Sequence, residues 1–176
     1  MFFVTPNLNI SVDLIIFIPS VYSLNYYVLL MMRIYLDNCC FNRPFDDQSG
    51  IKVKLETDAK LYVQSMIRVG KIELAWSYIL DFENSANPFF ERRFAIEKWK
   101  TLSSIDVAET EAILLKAEHF STKGIKAKDA LHVACAIETK CNCFLTTDYL
   151  IQKKLNNESE IKVVNPIDFI NIIEGL

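Results

Sequence analysis

Apolar residues in this chain recur at two spacings, and the switching between them predicts the elements. RIYL (33–36) is a short run of strand formers closed by Asp37. RPFDDQSG (43–50) follows as a turn-rich loop with Pro and Gly. From Val53 to Val69 the positions Leu55, Ala59, Tyr62, Val63, Met66 and Ile67 return at three- and four-residue steps. That spacing predicts a core-facing helix, which Gly70 ends. KIELAWS (71–77) reads as a second strand, with Ser77 as cap of a helix over YILDFENSA. Asn87-Pro88 breaks that helix before a more basic one, FFERRFAIEKWK. SIDVAETEAILLKAEHFSTKG reads as one further helix, capped by Ser104 and stopped by Gly124. KDALHVACAIETK is apolar nearly all round, which predicts a central, buried helix. CFLTTD (143–148) is a strand, YLIQKKL a short helix, IKVV (161–164) a strand and PIDFINII a closing helix with Pro at its start.

Strands alternating with helices imply an α/β domain whose parallel sheet is covered on both faces. The pattern runs over residues 32–176, without internal repeats or low-complexity segments. Residues 1–31 differ. Their one charged side chain is Asp13, and Leu14 to Met32 is a run of nineteen mostly apolar residues, near the length that spans a bilayer. Pro19, Ser20, Ser23 and Asn25 interrupt it, and the basic segment of a secretory signal is missing. Three readings stand: upstream sequence ahead of a true start at Met31 or Met32, a membrane anchor with Arg33 on the cytoplasmic side, or an extra packed segment.

The totals narrow the function classes. A chain of 176 residues suits one domain, and a net charge of −3 supplies no global basic field for nucleic acid. A nucleic-acid substrate would need a local basic patch, or metal ions offsetting acidic side chains. Five cysteines, an odd number, fit reduced thiols in a cytoplasmic protein. A zinc site from Cys39, Cys40, Cys141 and Cys143 is the alternative, although adjacent Cys and Cys-x-Cys lack the usual ligand spacing.

Ligands of open parallel sheets bind outside the carboxyl ends of the strands. Two strands end there in Asp, at Asp37 and Asp148, which puts both carboxylates on one sheet edge. Asp129 opens the buried helix, where the helix dipole favours a carboxylate. Glu83 shares a helix face with Ile79 and Leu80, so it points inward more than Asp81 does. Four converging carboxylates repel one another, and a divalent cation resolves that conflict. Oxygen ligands without His fit Mg²⁺ or Mn²⁺, which activate water and stabilise charge in phosphodiester displacement. Asn38, Thr146 and Thr147 are neutral hydrogen-bonders placed to orient a carboxylate, a water or a phosphate. Each acid also has a plainer reading, as turn former, helix cap or solvated helix residue.

The order strand–Asp37, helix–Glu83, KDALHVACA with Asp129 and FLTTD with Asp148 resembles the PIN domain family. These are metal-dependent ribonucleases that include the VapC-type toxins of toxin–antitoxin pairs. The resemblance runs from about Met32 to the end, and LDNCCFNRPFDDQ and NPFFERR are similar to one uncharacterised branch. It implies a three-layer α/β/α sandwich around a parallel sheet, with Asp37, Glu83, Asp129 and Asp148 carrying Mg²⁺ or Mn²⁺ as the catalytic set. It also implies an RNA substrate, an antitoxin partner and a homodimer, with membrane attachment only if residues 1–31 insert. The family places small hydroxyl residues after the first Asp; here those places hold Asn38 and Cys39.

Holding RNA falls to Arg92 and Arg93, with Lys98, Lys100 and Arg43 as further phosphate contacts. The alternative is a solvated helix face paired with Glu91 and Glu97. Trp76, Trp99 and the phenylalanines read as core, His119 and His132 lack a partner constellation, and no basic neighbour activates the Cys39 or Cys40 thiol. The leading expectation is therefore a metal-dependent endoribonuclease, the toxin of a toxin–antitoxin pair. The alternative is a catalytically silent module that holds RNA or protein in the same groove. A phosphatase of the haloacid dehalogenase type ranks below both, because it needs an acid where Cys39 stands.

Overall fold

The computed structural model describes residues 32–175. The expectations for residues 1–31 lie outside them. Five strands form one all-parallel sheet: β1 (Arg33–Leu36), β2 (Glu73–Ser77), β3 (Ile105–Val107), β4 (Cys143–Leu145) and β5 (Lys162–Val164), in the order β3-β2-β1-β4-β5. Tyr35 of β1 pairs with Ala75 on one side and Phe144 on the other. The chain builds outward from β1 through β2 to β3, then crosses back to β4 and β5 on the other side. Right-handed crossovers running in opposite directions put their helices on opposite faces, giving the α/β/α sandwich expected from the sequence.

Eight α-helices lie among the described residues: α1 (Asn38–Asn42), α2 (Ile51–Arg68), α3 (Tyr78–Ser85), α4 (Phe90–Glu97), α5 (Glu111–Thr122), α6 (Ala127–Glu138), α7 (Tyr149–Lys154) and α8 (Pro166–Glu174). Short 3-10 turns cover Arg43–Phe45 and Lys100–Leu102. Helix α2 packs with α8, and α5 packs along α6. Ile34, Tyr35, Leu36, Leu74, Trp76, Phe144 and Leu145 are fully enclosed, as a sheet covered on both faces requires. Helix α6 lies against β2 and β4 and buries Ala130, Val133, Ala134, Cys135 and Ala136. None of the described helices is long and apolar enough to cross a membrane.

Four local expectations change. The segment beginning at Ser104 is not one helix: IDV forms β3, and α5 starts after Thr110, whose hydroxyl accepts from the Ile113 amide at 3.3 Å. A three-residue strand in a helix-rich window gives no separate periodic signal. NCCFN winds into α1 directly after Asp37. Ser77 occupies the cap position of α3, but its hydroxyl turns to Tyr35 Oη at 2.5 Å rather than to the helix.

The fourth change concerns α2, which is rotated from the apolar face that its spacing predicts. Leu55 and Tyr62 are exposed, whereas Glu56, Thr57, Lys60 and Gln64 are buried beside Val63, Met66 and Ile67. A polar stripe can go inside because partners meet part of it. Glu56 takes Arg43 Nε at 3.0 Å and the Asn165 amide at 2.7 Å. Gly70 adopts φ +70° after the helix, as its position in the sequence suggested.

Candidate active site

The strand order reverses between β1 and β4, and their carboxyl ends flank the crevice where parallel sheets hold ligands. Asp37 leaves β1 there with its amide bonded to the Leu145 carbonyl at 2.9 Å. Its carboxylate is buried, and Oδ2 accepts the Thr146 hydroxyl at 2.7 Å and the Cys39 thiol at 3.0 Å. The Thr147 amide donates to Cys39 Sγ at 3.3 Å, so the thiol bridges the ends of both strands. Cys39 thus fills a hydroxyl's place with a weaker donor that still holds Asp37.

Asp148 caps α7: its Oδ1 accepts from the Leu150 and Ile151 amides at 2.7 and 3.3 Å, and its own amide donates to Thr146 Oγ1 at 3.1 Å. Asp129 sits in the first turn of α6. Asp129 and Asp148 line one cavity of about 80 Å³ with Lys126 and Lys154. Burial and the negative charges of Asp37 and Asp148 raise the Asp129 carboxyl above the ordinary Asp range, in spite of the helix dipole. These three of the four acids expected to converge therefore share one electrostatic neighbourhood.

Glu83 is held by its own set of partners. Its Oε2 meets His132 Nε2 at 3.0 Å, its Oε1 lies 3.7 Å from Lys128 Nζ, and the Asn38 side chain also bonds to it. The histidine contact, outweighing burial, holds the Glu83 carboxyl below its usual range. Glu83 does point inward, whereas Asp81 turns to Trp76 Nε1 at 2.9 Å and Lys100 Nζ at 2.6 Å. His132 has the partners that its sequence context did not reveal. It is fully buried, with Nδ1 2.8 Å from Tyr35 Oη, and so joins Ser77, Tyr35, His132 and Glu83 in one hydrogen-bonded row. The available signal was His132 standing three residues after Asp129 on the same helix.

The basic residues divide. Arg43 is engaged by Asp46 and Glu56, and Lys100 by Asp81 and Asp106 at 2.6 and 3.1 Å. Arg92 lies 4.3 Å over the Phe89 ring and bonds to the Phe45 carbonyl at 3.2 Å; Arg93 lies 5.6 Å over Phe90. Trp76 and Trp99 are buried as expected, but Phe45, Phe82, Phe89, Phe90 and Phe94 are exposed rather than core. Arg92, Arg93 and Lys98 lie over the rings of Phe45, Phe89, Phe90 and Phe94, and Lys128 of α6 over Phe82, an arrangement that propensity alone does not predict. All five thiols are free. Cys143 begins β4 while Cys39 lies past the end of parallel β1, so the zinc grouping is split between opposite sheet edges.

Whether a divalent cation suits these residues rests on donors and space. Carboxylate and hydroxyl oxygens dominate, and the buried Thr147 hydroxyl has no hydrogen-bond partner among the described residues. As placed, no three His, Cys, Asp or Glu side chains among the described residues stand close enough to enclose an ion. The donor set still suits Mg²⁺ or Mn²⁺, because such an ion is commonly held by one or two carboxylates and completed by water and phosphate oxygens.

A parallel α/β/α sandwich with acids gathered where its strand order reverses defines a recognisable class of domain. The model of the PIN domain matches residues 34–155, and the chain belongs to that family. Among solved structures it is similar to VapBC2 from Rickettsia felis bound to a DNA fragment from their promoter, at 14% identity and TM-score 0.50, covering 76% of this chain and 98% of that one. It is similar also to VapBC-1 from nontypeable Haemophilus influenzae, at 15% identity and TM-score 0.50, covering 77% and 98%. These likenesses establish the fold. No curated protein sequence matches the chain.

Proposed function

We propose that the protein is a metal-dependent endoribonuclease that hydrolyses RNA phosphodiester bonds, and the toxin half of a toxin–antitoxin pair. The observation that carries this reading is the gathering of Asp37, Asp129 and Asp148 at the strand-order reversal, where burial first, and then the charges of Asp37 and Asp148, raise the Asp129 carboxyl. Such crowding of like charge favours a counter-cation. Membership of the PIN family and likeness to two VapBC structures support the same class.

In this reading Asp37 and Asp129 hold Mg²⁺ or Mn²⁺, with Asp148 and Glu83 completing the acidic set. The bound ion supplies charge neutralisation for a phosphodiester and lowers the pKa of a water. The chain's own contribution is orientation. Thr146 and Cys39 fix Asp37 Oδ2, which leaves Oδ1 for the ion. The unpartnered Thr147 hydroxyl can bond a water or a phosphate oxygen. Asn38 and His132 keep Glu83 ionised and in place. Arg92 and Arg93 on α4 contact the RNA backbone. A cognate antitoxin and a homodimer belong to the same proposal, as does a cytoplasmic location.

RNA cleavage assayed with Mn²⁺ and Mg²⁺, for the wild type and for Asp37→Asn and Asp129→Asn, tests the assignment. Activity is expected only with metal and only in the wild type; undiminished cleavage in both variants overturns it. One observation favours a second reading, a silent module that binds RNA or protein. Asp37 Oδ2 and Asp148 Oδ1 are already engaged by protein donors. Calorimetric titration with Mn²⁺ separates the two, because a silent module takes up no ion near millimolar concentration.

A further inference from the structure

A second polar region lies away from the acidic edge. A cavity of about 330 Å³ opens between α2, α4 and the two 3-10 turns. Its wall carries Lys60, Arg68 and Lys98 and no carboxylate, in a chain whose net charge is −3. Lys60 is the centre of the problem. It is 3% exposed, its ammonium sits 5.7 Å from the centre of the Phe41 ring, and no carboxylate among the described residues pairs with it. Burial pulls the ammonium down to about 8, with Arg68 adding repulsion. Asp58, two residues before Lys60, is exposed, and Glu56, one turn before it, is taken by Arg43 and Asn165.

A buried cation without an anion is costly, and a fold normally supplies a partner. One turn beyond Lys60, Gln64 is also buried, and its amide nitrogen has no partner among the described residues. One turn further, the Arg68 guanidinium lies 4.7 Å over the Trp99 ring. Lys60, Gln64 and Arg68 stand at four-residue steps, so their side chains form one row along the cavity wall. Three donors in a row, none answered by an acceptor among the described residues, describe an anion site. We infer that this cavity binds a small organic anion, its oxyanion head held by Lys60, Gln64 and Arg68 and its apolar body resting on Phe45, Leu61 and Leu102.

The size fits a small molecule, since ligand pockets begin at roughly 300 Å³. A macromolecule docking on the outer surface could touch Arg68 and Lys98, which are exposed, but would not reach Lys60. Both a phosphomonoester and a carboxylate have the required head. The inference does not depend on the nuclease reading, because none of these residues belongs to the acidic set.

Calorimetry on the full chain in EDTA, which keeps metal-bridged phosphate off the acidic edge, provides the test. The probes are inorganic phosphate, 5′-AMP, adenosine and benzoate. The expected result is one-to-one binding of 5′-AMP or benzoate at a Kd of about 0.1 mM, with adenosine silent. Binding of 5′-AMP alone identifies a phosphate site, and binding of benzoate alone a carboxylate site. Lys60→Met and Arg68→Gln each weaken binding by about tenfold or more while circular dichroism shows both folded, and Asp37→Asn binds like the wild type. Silence of the wild type toward phosphate, 5′-AMP and benzoate overturns the inference, and so does unchanged affinity in both cavity variants. Loss of binding in Asp37→Asn, or binding confined to an RNA oligonucleotide or a protein, overturns it as well.

Discussion

The acidic edge and the basic cavity are opposite solutions to the same physical problem. At the edge, Asp37, Asp129 and Asp148 are crowded, yet each keeps some relief: hydroxyl and thiol donors on Asp37, helix amides on Asp148, a raised carboxyl at Asp129. In the cavity Lys60 has no charged partner among the described residues, only the aromatic face of Phe41. Like charges at a strand edge can share donors from two neighbouring strands and a helix start. A lysine midway along α2 sees only its own helix and the side chains across from it. The first region suits a cation, the second an anion, and neither preference is visible from the net charge of −3.

The largest effect should come from the acidic edge. Asp37→Asn or Asp129→Asn is expected to lower metal-dependent RNA cleavage by about a hundredfold or more, measured as kcat/KM, with folding retained. Next is the cavity. The folded Lys60 ammonium titrates near 8 against 10.5 in the unfolded chain. Between those values the unfolded state binds the proton and the folded state does not, so the Lys60 contribution to stability rises with pH across that window by about 3 kcal/mol. The buried thiols of Cys40, Cys135, Cys141 and Cys143, all raised by burial, pull the other way in both proteins, so urea unfolding should show the rise as a difference between the wild type and Lys60→Met, which should also be the more stable protein at pH 7. A wild-type curve parallel to that of Lys60→Met would remove the contrast between the regions.

A smaller change tests the row that steadies Glu83. His132→Phe keeps an aromatic ring, somewhat larger than imidazole, but strips bonds from Tyr35 and Glu83 in a buried place, and should cost about 1–3 kcal/mol in thermal unfolding. The smallest separates capping from chemistry at Asp148. Asp148→Ala removes the cap of α7 and should cost about 1 kcal/mol, whereas Asp148→Asn keeps an acceptor for the Leu150 and Ile151 amides and should be nearly neutral in stability. Equal losses in both would show that the carboxylate charge, rather than the cap, holds α7.

Particular residues show how far the chain could be read without its fold. RIYL and CFLTTD announced their strands, and the rule that parallel sheets work at their carboxyl ends put Asp37 and Asp148 together. Asp129 followed from the helix it opens, and Glu83 was separated from Asp81 by helical geometry alone. Strand β3 escaped because three residues carry too little periodicity, and α1 because five polar and apolar residues after Asp37 read equally well as a turn. The two misjudged faces, α2 and the phenylalanines of α4, share one cause. Apolar spacing assumes that polar residues go outside, and it has no means of weighing a distant partner.

Local pattern determined the longer elements and the sheet's parallel sense, and it marked Asp37, Asp129 and Asp148 as candidates, since those depend on spacing within a segment and on the alternation of segments. Only the tertiary structure decided what each polar side chain meets. Arg43 and Asn165 reach Glu56 across 13 and 109 positions of sequence, Tyr35 reaches His132 across 97, and Lys60 reaches no acid among the described residues. Burying a charge is decided by the partner that arrives from elsewhere in the chain, and that partner is set by packing rather than by the residues alongside.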